Sequence, residues 1–408
     1  MVASPRQTNF PDHLVSIPSA EERLVPVAAL FGANAAGKSN LVRALKWLQR
    51  EVRQGHSRFM PFLFADPNRT SRFQLRFLQG EQVLEFGLTC RNEGIESEWL
   101  STISSTGREK VIYERETQPD GHSVVEFAEN LGGSSEKLEA FRVLGVKRGE
   151  AVLTKLTESL SGTELPAAVQ AATDWFDKLV IISTDSQYMP LAERVHDDVP
   201  FRDYASHLFH RVDPTITEVM AAMKRVAIEH LPTPLRDRVR ELDAGASVRV
   251  ADLSVIKIDE ANANVRDVVM QHEGPTGSRL PLSLMHESDG TLRLLHLAPS
   301  AFDAARDVVV VIDELDRSLH ALLAREFVLE FLRRAAGRRS QLIFTTHETH
   351  LLDQDLLRRD EIWFVEKNRT GASELFSLDD FRVRNDLRLD RSYLQGRFGA
   401  IPPLGKPA

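Results

Sequence analysis

The sequence predicts an α/β fold around a parallel sheet, and two apolar segments carry that prediction. Residues 25–31 form a short apolar run, and residues 308–312 are all valine or isoleucine, which is typical of strands buried on both faces. Apolar residues at helical spacing follow the first run over residues 40–48. Polar residues follow both runs, and we expect a parallel sheet to bring them to the same carboxyl edge.

The loop between the first strand and its helix reads G-x-x-x-x-G-K-S over residues 32–39, the Walker A pattern. Its two glycines allow a tight turn whose backbone N–H groups point at an anion. Lys38 adds a charge for the β- and γ-phosphates, Ser39 supplies a hydroxyl ligand for Mg²⁺, and the helix N-terminus adds its positive dipole end. The predicted cofactors are therefore ATP and Mg²⁺, and the predicted binding residues of this loop are Gly32, Asn34, Gly37, Lys38, Ser39 and Asn40.

Two carboxylates, Asp313 and Glu314, end the second strand in the Walker B arrangement. We expect Asp313 to hold Mg²⁺ together with Ser39, and Glu314 to polarise the attacking water as a general base. The alternative is a core strand with a solvated acidic end. The complete Walker A loop favours the paired site, and with it a P-loop NTPase that hydrolyses ATP.

Two further segments indicate which kind of P-loop protein this is. Residues 287–291 read E-S-D-G-T before a helical pattern, and residues 341–347 form an apolar run that ends in His347. This order of motifs resembles that of ABC-type ATPases. The resemblance implies that Ser288 and Gly290 cap the γ-phosphate held by a partner subunit and that His347 senses it. The alternatives are an ordinary turn at residues 288–291 and, for the sensor, the competing candidate His350.

The long interval from residue 40 to residue 287 predicts an insertion that splits the ATPase into two halves. Split heads of this kind are similar to those of SMC, RecF and OLD proteins. Prolines and glycines interrupt any sustained heptad pattern, so we expect a globular insert rather than a coiled coil. These residues are Gly145, Gly149, Gly162, Pro166, Pro190, Pro200, Pro214, Pro232 and Pro234.

The spacing of apolar residues predicts the secondary structure of this interval in outline. Residues 61–127 alternate as an antiparallel β-meander with turns at residues 106–107 and 119–121. Within it, Gln74 is the nearest candidate for a Q-loop glutamine, although its position suits a surface strand better. Helical spacing predominates from 134 to 242, including residues 201–210 and 216–230, and strand-like alternation returns over 247–272.

The predicted fold class is thus α/β, a P-loop NTPase of the ABC type with a split SMC/RecF/OLD-like head, a β-meander and an inserted helical lobe. Residues 1–130 are predicted as the N-terminal half of the head, with Walker A and the meander. Residues 131–245 are the predicted helical insert. Residues 246–408 are the predicted C-terminal half, with the signature, Walker B and the switch histidine.

The motifs also resemble a narrower family, carried by residues 31–40, 287–291, 312–320, 345–347 and a tail at 393–402. They are similar to the OLD-related ABC-type AAA-domain ATPases of bacterial antiphage and abortive-infection systems, such as AbiLii and the ATPase of PARIS. The chain departs from that family at its N-terminus. Only Asn9 and Phe10, followed by Pro11, stand where the family has a longer strand, so we expect the first strand to be short or missing.

The family resemblance implies an ATP-driven switch or sensor of antiviral defence. It implies a homo-oligomer with ATP sandwiched between heads, a co-encoded nuclease or toxin as effector, and nucleic acid or a phage component as trigger. The alternative is a RecF- or SMC-like ATPase that acts on DNA in repair. Fewer residues follow His347 than an independent domain usually needs, so a fused nuclease is not expected.

Composition narrows the class of protein further. A net charge of -8 argues against a chain that coats nucleic acid with its whole surface. Cys90 is the single cysteine, which excludes an intramolecular disulfide. No apolar run approaches the roughly 20 residues that span a bilayer, and no signal-peptide pattern opens the chain. We therefore expect a cytoplasmic protein without membrane partners.

Overall fold

A computed structural model describes residues 1–17, 22–55, 60–66, 69–91, 94–184, 191–250, 253–384 and 387–402. The chain forms two compact units. The first contains residues 1–181, 308–313 and the described residues from 339 onward, and the second contains 182–307 and 314–338. Across the described ranges, no helix has the length and apolar character that crossing a membrane requires.

The strands, in chain order, are β1 (Val15–Ser16), β2 (Arg23–Leu24), β3 (Val27–Phe31), β4 (Ser71–Gln79), β5 (Gln82–Arg91), β6 (Gly94–Ile103), β7 (Glu109–Thr117), β8 (Ser123–Phe127), β9 (Val180–Ile182), β10 (Ile216–Ala227), β11 (Ser247–Val250), β12 (Leu253–Lys257), β13 (Asn262–Glu273), β14 (Arg279–Ser283), β15 (Val309–Ile312), β16 (Gln341–Thr345), β17 (Ile362–Lys367) and β18 (Ser373–Ser377). The α-helices are α1 (Lys38–Gln54), α2 (Ser135–Leu144), α3 (Val152–Ser159), α4 (Ala167–Lys178), α5 (Leu191–Asp197), α6 (Val199–Val212), α7 (Thr233–Arg240), α8 (Asp289–Asp303), α9 (Ala321–Ala335) and α10 (Leu389–Leu394).

A mainly parallel sheet forms the centre of the first unit, in the order β18-β17-β3-β16-β15-β9. Strand β3 pairs in parallel with β16 on one side and with β17 on the other, and β16 pairs in parallel with β15. All of β3 is buried, which explains its apolar sequence. The carboxyl ends of β3, β15 and β16 therefore lie along one edge. The predicted α/β class, with the P-loop between a strand and a helix, is confirmed.

An antiparallel meander, β4 to β8 in chain order, also belongs to the first unit. Turns at residues 104–107 and 118–121 join its later strands, close to where the sequence predicts them. Its apolar face shares one core with α1, α3 and α4. The ring of Phe77 in β4 lies 4.4 Å from that of Trp175 and 5.8 Å from that of Phe176, both in α4. The helix that follows the P-loop is thus packed into a large aromatic core.

The second unit contains a sheet in the order β10-β13-β12-β11, with β14 also paired to β13. The helix predicted over residues 201–210 is present as α6, but the helix predicted over 216–230 is wrong, because residues 216–227 form β10. A register shift between Ile216 and Glu218 marks a bulge in this strand. Ile216 and Val219 are both buried, three positions apart, since the bulge changes the alternation. A bulged strand therefore produces the spacing that resembles a helix.

The predicted domain boundaries at 130 and 245 stay a prediction. The two compact units divide the chain between residues 181 and 182, so α2, α3 and α4 belong with the meander. The remaining helices of the predicted insert, α5 to α7, belong to the second unit together with β10.

The C-terminal tail packs against strands of the first unit. The Tyr393 ring lies 6.4 Å from Phe31 and stacks on Phe364 at 5.5 Å. Phe398 stacks on Phe364 at the same centroid distance of 5.5 Å. The Tyr393 hydroxyl donates to the Ala400 carbonyl at 3.0 Å, which closes the tail on itself. The tail motif therefore supports the strand that leads into the P-loop.

The N-terminal segment lies against the region around Arg358. After a 3-10 turn at Pro11–His13, β1 contains only two residues, so the strand there is short. The fully buried Arg358 donates to the carbonyls of Gln7 and Asn9, at 3.3 and 2.5 Å. Hydrogen bonds to a buried guanidinium, rather than a longer strand, hold this segment in place.

Candidate functional site

The P-loop needs its two glycines for different reasons. A β-carbon on Gly32 would lie 2.5 Å from the Val365 carbonyl oxygen, so the neighbouring strand β17 leaves no room for a side chain. Gly37 has φ +110°, a conformation that other residues rarely adopt, and a β-carbon there would overlap the Ser373 hydroxyl. The Ser373 Oγ donates to the Ala36 carbonyl at 2.7 Å. The turn before β18 therefore packs against the P-loop and is hydrogen-bonded to it.

Lys38 is buried at the start of α1, with 5% of its surface exposed. Its Nζ donates to the carbonyls of Gly32 and Ala33, at 2.7 and 3.2 Å. These bonds hold the ammonium group over the loop, where phosphate oxygens would compete for the same donors. The positive charge therefore lies at the loop that the sequence predicts to bind phosphate.

Asp313 is the point at which the two Walker motifs meet. The hydroxyls of Ser39 and Thr345 both donate to Asp313 Oδ1, at 3.1 and 2.7 Å. Asp313 is 5% exposed. A buried carboxylate beside a serine hydroxyl at the carboxyl edge of a parallel sheet offers the hard oxygen donors that Mg²⁺ prefers. The residues present therefore fit a magnesium ion, which Asp313 and Ser39 would hold.

Glu314 follows Asp313 directly and has a left-handed backbone, with φ +51°. This conformation is uncommon for a residue with a side chain, and strained positions of this kind cluster at functional sites. The buried Arg293 of α8 donates to the Glu314 carbonyl oxygen at 3.2 Å. The helix that carries the signature motif therefore holds the backbone of the predicted catalytic glutamate.

The signature segment opens α8 in the second unit. Ser288 is its N-cap, with Oγ accepting from the Thr291 N–H at 3.1 Å. A β-carbon on Gly290 would lie 3.0 Å from the Ser318 carbonyl oxygen, so glycine allows the residues after Walker B to approach the helix closely. Ser288 is exposed. The Ser288 side chain, which the resemblance predicts to contact a partner's γ-phosphate, is thus accessible to a second molecule.

The two candidate histidines differ in their surroundings. His347 is exposed and lies two residues beyond β16, the strand between the Walker A and Walker B strands. His350 Nδ1 lies 2.5 Å from Glu348 Oε1, in a hydrogen bond at the surface. The position of His347 favours it as the sensor, and its role stays a prediction.

The two predicted asparagines, Asn34 and Asn40, are both exposed. The Asn40 side-chain oxygen accepts from Arg43 at 3.1 Å. The structure does not bring either side chain into the cluster around Asp313 that it describes, and their binding roles also stay predictions.

Sequence reasoning missed three residues of the site: Thr345, Ser373 and Arg293. Thr345 is an ordinary strand residue by propensity, and Ser373 lies far along the chain in a turn. Arg293 belongs to the helical pattern after residue 291, which does not indicate its contact with Glu314. Two signals point to Thr345: its place at the end of the predicted strand 341–347, and its place in the segment 345–347 that resembles the family.

The family model described as "AAA domain, putative AbiEii toxin, Type IV TA system" matches residues 27–353. No curated protein matches the sequence. Solved structures with similarity include an SMC head bound to the C-winged helix domain of ScpA, 12% identical, covering 89% of this chain and 96% of that chain at TM-score 0.36. The SMC head domain from Thermotoga maritima is 14% identical, covering 91% and 97% at TM-score 0.34. An SMC head with an extended coiled coil, bound to the C-terminal domain of ScpA derived from Pyrococcus furiosus, is 13% identical, covering 89% and 94% at TM-score 0.34.

Proposed function

The chain belongs to the AAA-domain family linked to AbiEii toxins and type IV toxin–antitoxin systems, and from that premise we propose that it is an ATP-hydrolysing switch that controls a separate effector protein. The proposal of ATP hydrolysis rests on one observation, the hydrogen bonds that two separate segments make to Asp313. Ser39 from the Walker A helix and Thr345 from the adjacent strand both donate to one oxygen of this buried carboxylate. These hydrogen bonds bring a buried carboxylate and the P-loop together at one edge of the sheet, which supports the proposal that they bind Mg²⁺ and phosphate.

Each residue of the site would have a different role in phosphoryl transfer. The loop N–H groups and Lys38 would bind the β- and γ-phosphates, and Ser39 and Asp313 would hold Mg²⁺, which when bound supplies charge that neutralises those phosphates. Glu314 would orient a water molecule in line with the γ-phosphate and accept its proton. In this role Glu314 contributes to turnover, whereas Lys38 contributes to binding.

The test of hydrolysis separates these two contributions. Glu314→Gln should bind ATP normally and turn it over at least ~100-fold more slowly, since general-base contributions are about 10²–10⁴-fold. Lys38→Ala should lose ATP binding. Glu109→Gln, at an exposed position at the start of β7, is the matched control and should keep wild-type rates. Wild-type turnover in Glu314→Gln would contradict the role of Glu314.

The second part of the proposal is control of an effector. The family's link to toxin–antitoxin systems supports it, and the resemblance to AbiLii and PARIS suggests a co-encoded nuclease or toxin. ATP binding would join two heads and hydrolysis would separate them, so that nucleotide state decides whether the effector is held or released. A phage component or nucleic acid would act as the trigger.

The test is co-purification with the product of the neighbouring gene, and phage challenge of cells that carry both genes or either alone. Protection should need both genes and should be lost in Glu314→Gln or Lys38→Ala. Full protection by this chain alone, or cleavage of nucleic acid by the purified chain, would contradict a two-component system. Loading onto DNA ends without any effector would favour the repair alternative.

A further inference from the structure

An exposed aromatic pair lies in the segment of residues 60–66, between α1 and β4. Phe64 is 82% exposed and Phe62 is 43% exposed. Their rings meet edge to face, with centroids 5.7 Å apart. Leu63 and Met60 beside them are 79% and 80% exposed. Large apolar side chains grouped at the surface in this way are typical of a binding site.

The aromatic pair contacts the turn between β17 and β18. Gly371 has φ +81° in this turn, and its N–H donates to the Asn368 carbonyl at 3.0 Å. A β-carbon on Gly371 would lie 3.6 Å from Phe64 Cδ2 and 4.0 Å from Phe62 Cζ. The rings therefore lie against the backbone of this turn.

The same turn also contacts the P-loop. Two residues after Gly371, the Ser373 hydroxyl donates to the Ala36 carbonyl at 2.7 Å. Two residues of extended chain span only about 7 Å. The aromatic rings and the phosphate loop therefore contact the same short, continuous segment.

Sheet order indicates which end of a nucleotide would extend toward this turn. The Walker B strand β15 and the strand β16 lie on one side of β3, and β17 lies on the other. The metal-binding group Asp313 lies on the β15 side, which places the γ-phosphate end there. The ribose and base, at the other end of the molecule, would extend toward β17 and the turn that follows it.

We propose that Phe64, supported edge to face by Phe62, forms a stacking platform for the purine base of the bound nucleotide. The proposal rests on the ATP-binding function proposed above and assigns to it residues from a different segment of the chain. Stacking on an aromatic face is available to every base. The platform therefore adds affinity for a purine nucleotide over a bare polyphosphate, and it selects weakly between adenine and guanine.

The experiment compares nucleotide with inorganic tripolyphosphate, both with Mg²⁺, by calorimetry on the full chain. Phe64→Ala should weaken ATP and GTP binding about tenfold, which corresponds to about 1.4 kcal/mol. Tripolyphosphate binding should change less than about twofold, because that ligand has no base to stack. Phe64→Trp should keep nucleotide affinity. Leu63→Ala, similarly exposed in the same segment, is the matched control and should bind ATP as the wild type does.

A second measurement uses fluorescence of the Phe64→Trp variant. ATP should quench the added tryptophan relative to wild type, and tripolyphosphate should not. The platform would be disproved if Phe64→Ala bound ATP with wild-type affinity, as Leu63→Ala is expected to do. It would also be disproved if Phe64→Ala lost as much affinity for tripolyphosphate as for ATP. A wild-type chain that binds neither ATP nor tripolyphosphate would instead overturn the ATPase proposal. Normal ATP binding by Phe64→Ala overturns the platform alone.

Discussion

At the scale of single residues, Asp313 depends on partners that are distant in the sequence. Ser39 precedes it by 274 positions and Thr345 follows it by 32. Hydrogen bonds to a buried carboxylate are stronger than neutral ones and orient it. Thr345 is therefore a positioning residue for the predicted magnesium ligand rather than an ordinary strand residue.

Thr345→Val removes the donor to Asp313 and nearly preserves side-chain volume. We expect the Mg²⁺ concentration for half-maximal ATPase activity to rise about 10–100-fold, the usual effect of losing an outer-shell partner of a metal ligand. Activity should recover at saturating Mg²⁺. The measurement is a Mg²⁺ titration of turnover.

Thr345→Ser retains the hydroxyl and is the control for that titration. Its Mg²⁺ dependence should match the wild type, although its packing in the strand is poorer. If Val and Ser at this position shifted the Mg²⁺ dependence equally, the hydroxyl would have no role in holding Asp313.

Cys90 allows a separate prediction about pH. The thiol is buried in β5, and burial raises its pKa to about 12 from the ordinary 9.0. The neutral form is thus favoured in the folded chain. Its contribution to the free energy of unfolding is complete below pH 9.0 and is lost as the pH rises toward 12.

At pH 8 the folded chain should therefore resist alkylation by iodoacetamide, whereas the chain in urea should react at the rate of a free thiol. Mass spectrometry measures the fraction of alkylated chains, and any alkylated cysteine is Cys90 because the sequence contains one cysteine. Equal alkylation rates with and without urea would show that Cys90 is accessible in the native state.

At the scale of elements, helix α8 links the signature motif to Glu314 within the second unit. Ser288 caps its first turn, and Arg293, in the second turn, donates to the Glu314 carbonyl at 3.2 Å. Gly290 lets the backbone at Ser318 approach the same helix. A movement of α8 would therefore act on the strained backbone of Glu314.

Arg293→Ala should lower kcat about 10²-fold with little change in ATP affinity, because a displacement of about 1 Å at a catalytic group costs that much. The measurements are steady-state kinetics and calorimetry with ATP. A general loss of fold would lower both kcat and ATP affinity. A lower kcat with unchanged ATP affinity would therefore show that Arg293 positions Glu314.

Arg293→Lys keeps a charged donor and should restore part of kcat, although it lacks the planar guanidinium. A kcat that is unchanged in Arg293→Ala would mean that the bond to the Glu314 carbonyl does not position the glutamate.

At the scale of the whole molecule, the resemblance to ABC-type ATPases predicts that a complete site needs two copies of the chain, with the exposed Ser288 facing the partner's nucleotide. Glu314→Gln with ATP should accumulate a dimer or a larger assembly of paired heads, because it binds nucleotide without turnover. Ser288→Arg in that background should abolish the assembly through steric clash and repulsion from the partner's Lys38. Light scattering measures the mass.

The control for that assembly is Ser278→Arg, which adds the same charge at an exposed position in the turn before β14. It should still assemble with ATP. An identical mass with and without ATP in Glu314→Gln, or normal assembly in Ser288→Arg, would rule out a nucleotide shared between signature and P-loop.

The sequence alone determined the features that neighbouring residues specify. The P-loop, the buried strand β3 and the turns of the meander each depend on backbone sterics and hydrogen bonds within a few positions. For this reason the sequence was sufficient to predict the α/β class and a P-loop between a strand and a helix, whereas the binding roles of the Walker residues stay predictions.

Tertiary structure decided what depends on strand pairing and on distant contacts. Residues 216–227 have helical spacing but form β10, because pairing with β13 and a bulge outweigh local pattern. Thr345, Ser373 and Arg293 acquire roles only from the residues that the fold places beside them. Phe62 and Phe64 likewise become a candidate base platform only because the turn after β17 contacts both these rings and the P-loop. No local pattern encodes such contacts, since their partners lie tens to hundreds of positions away.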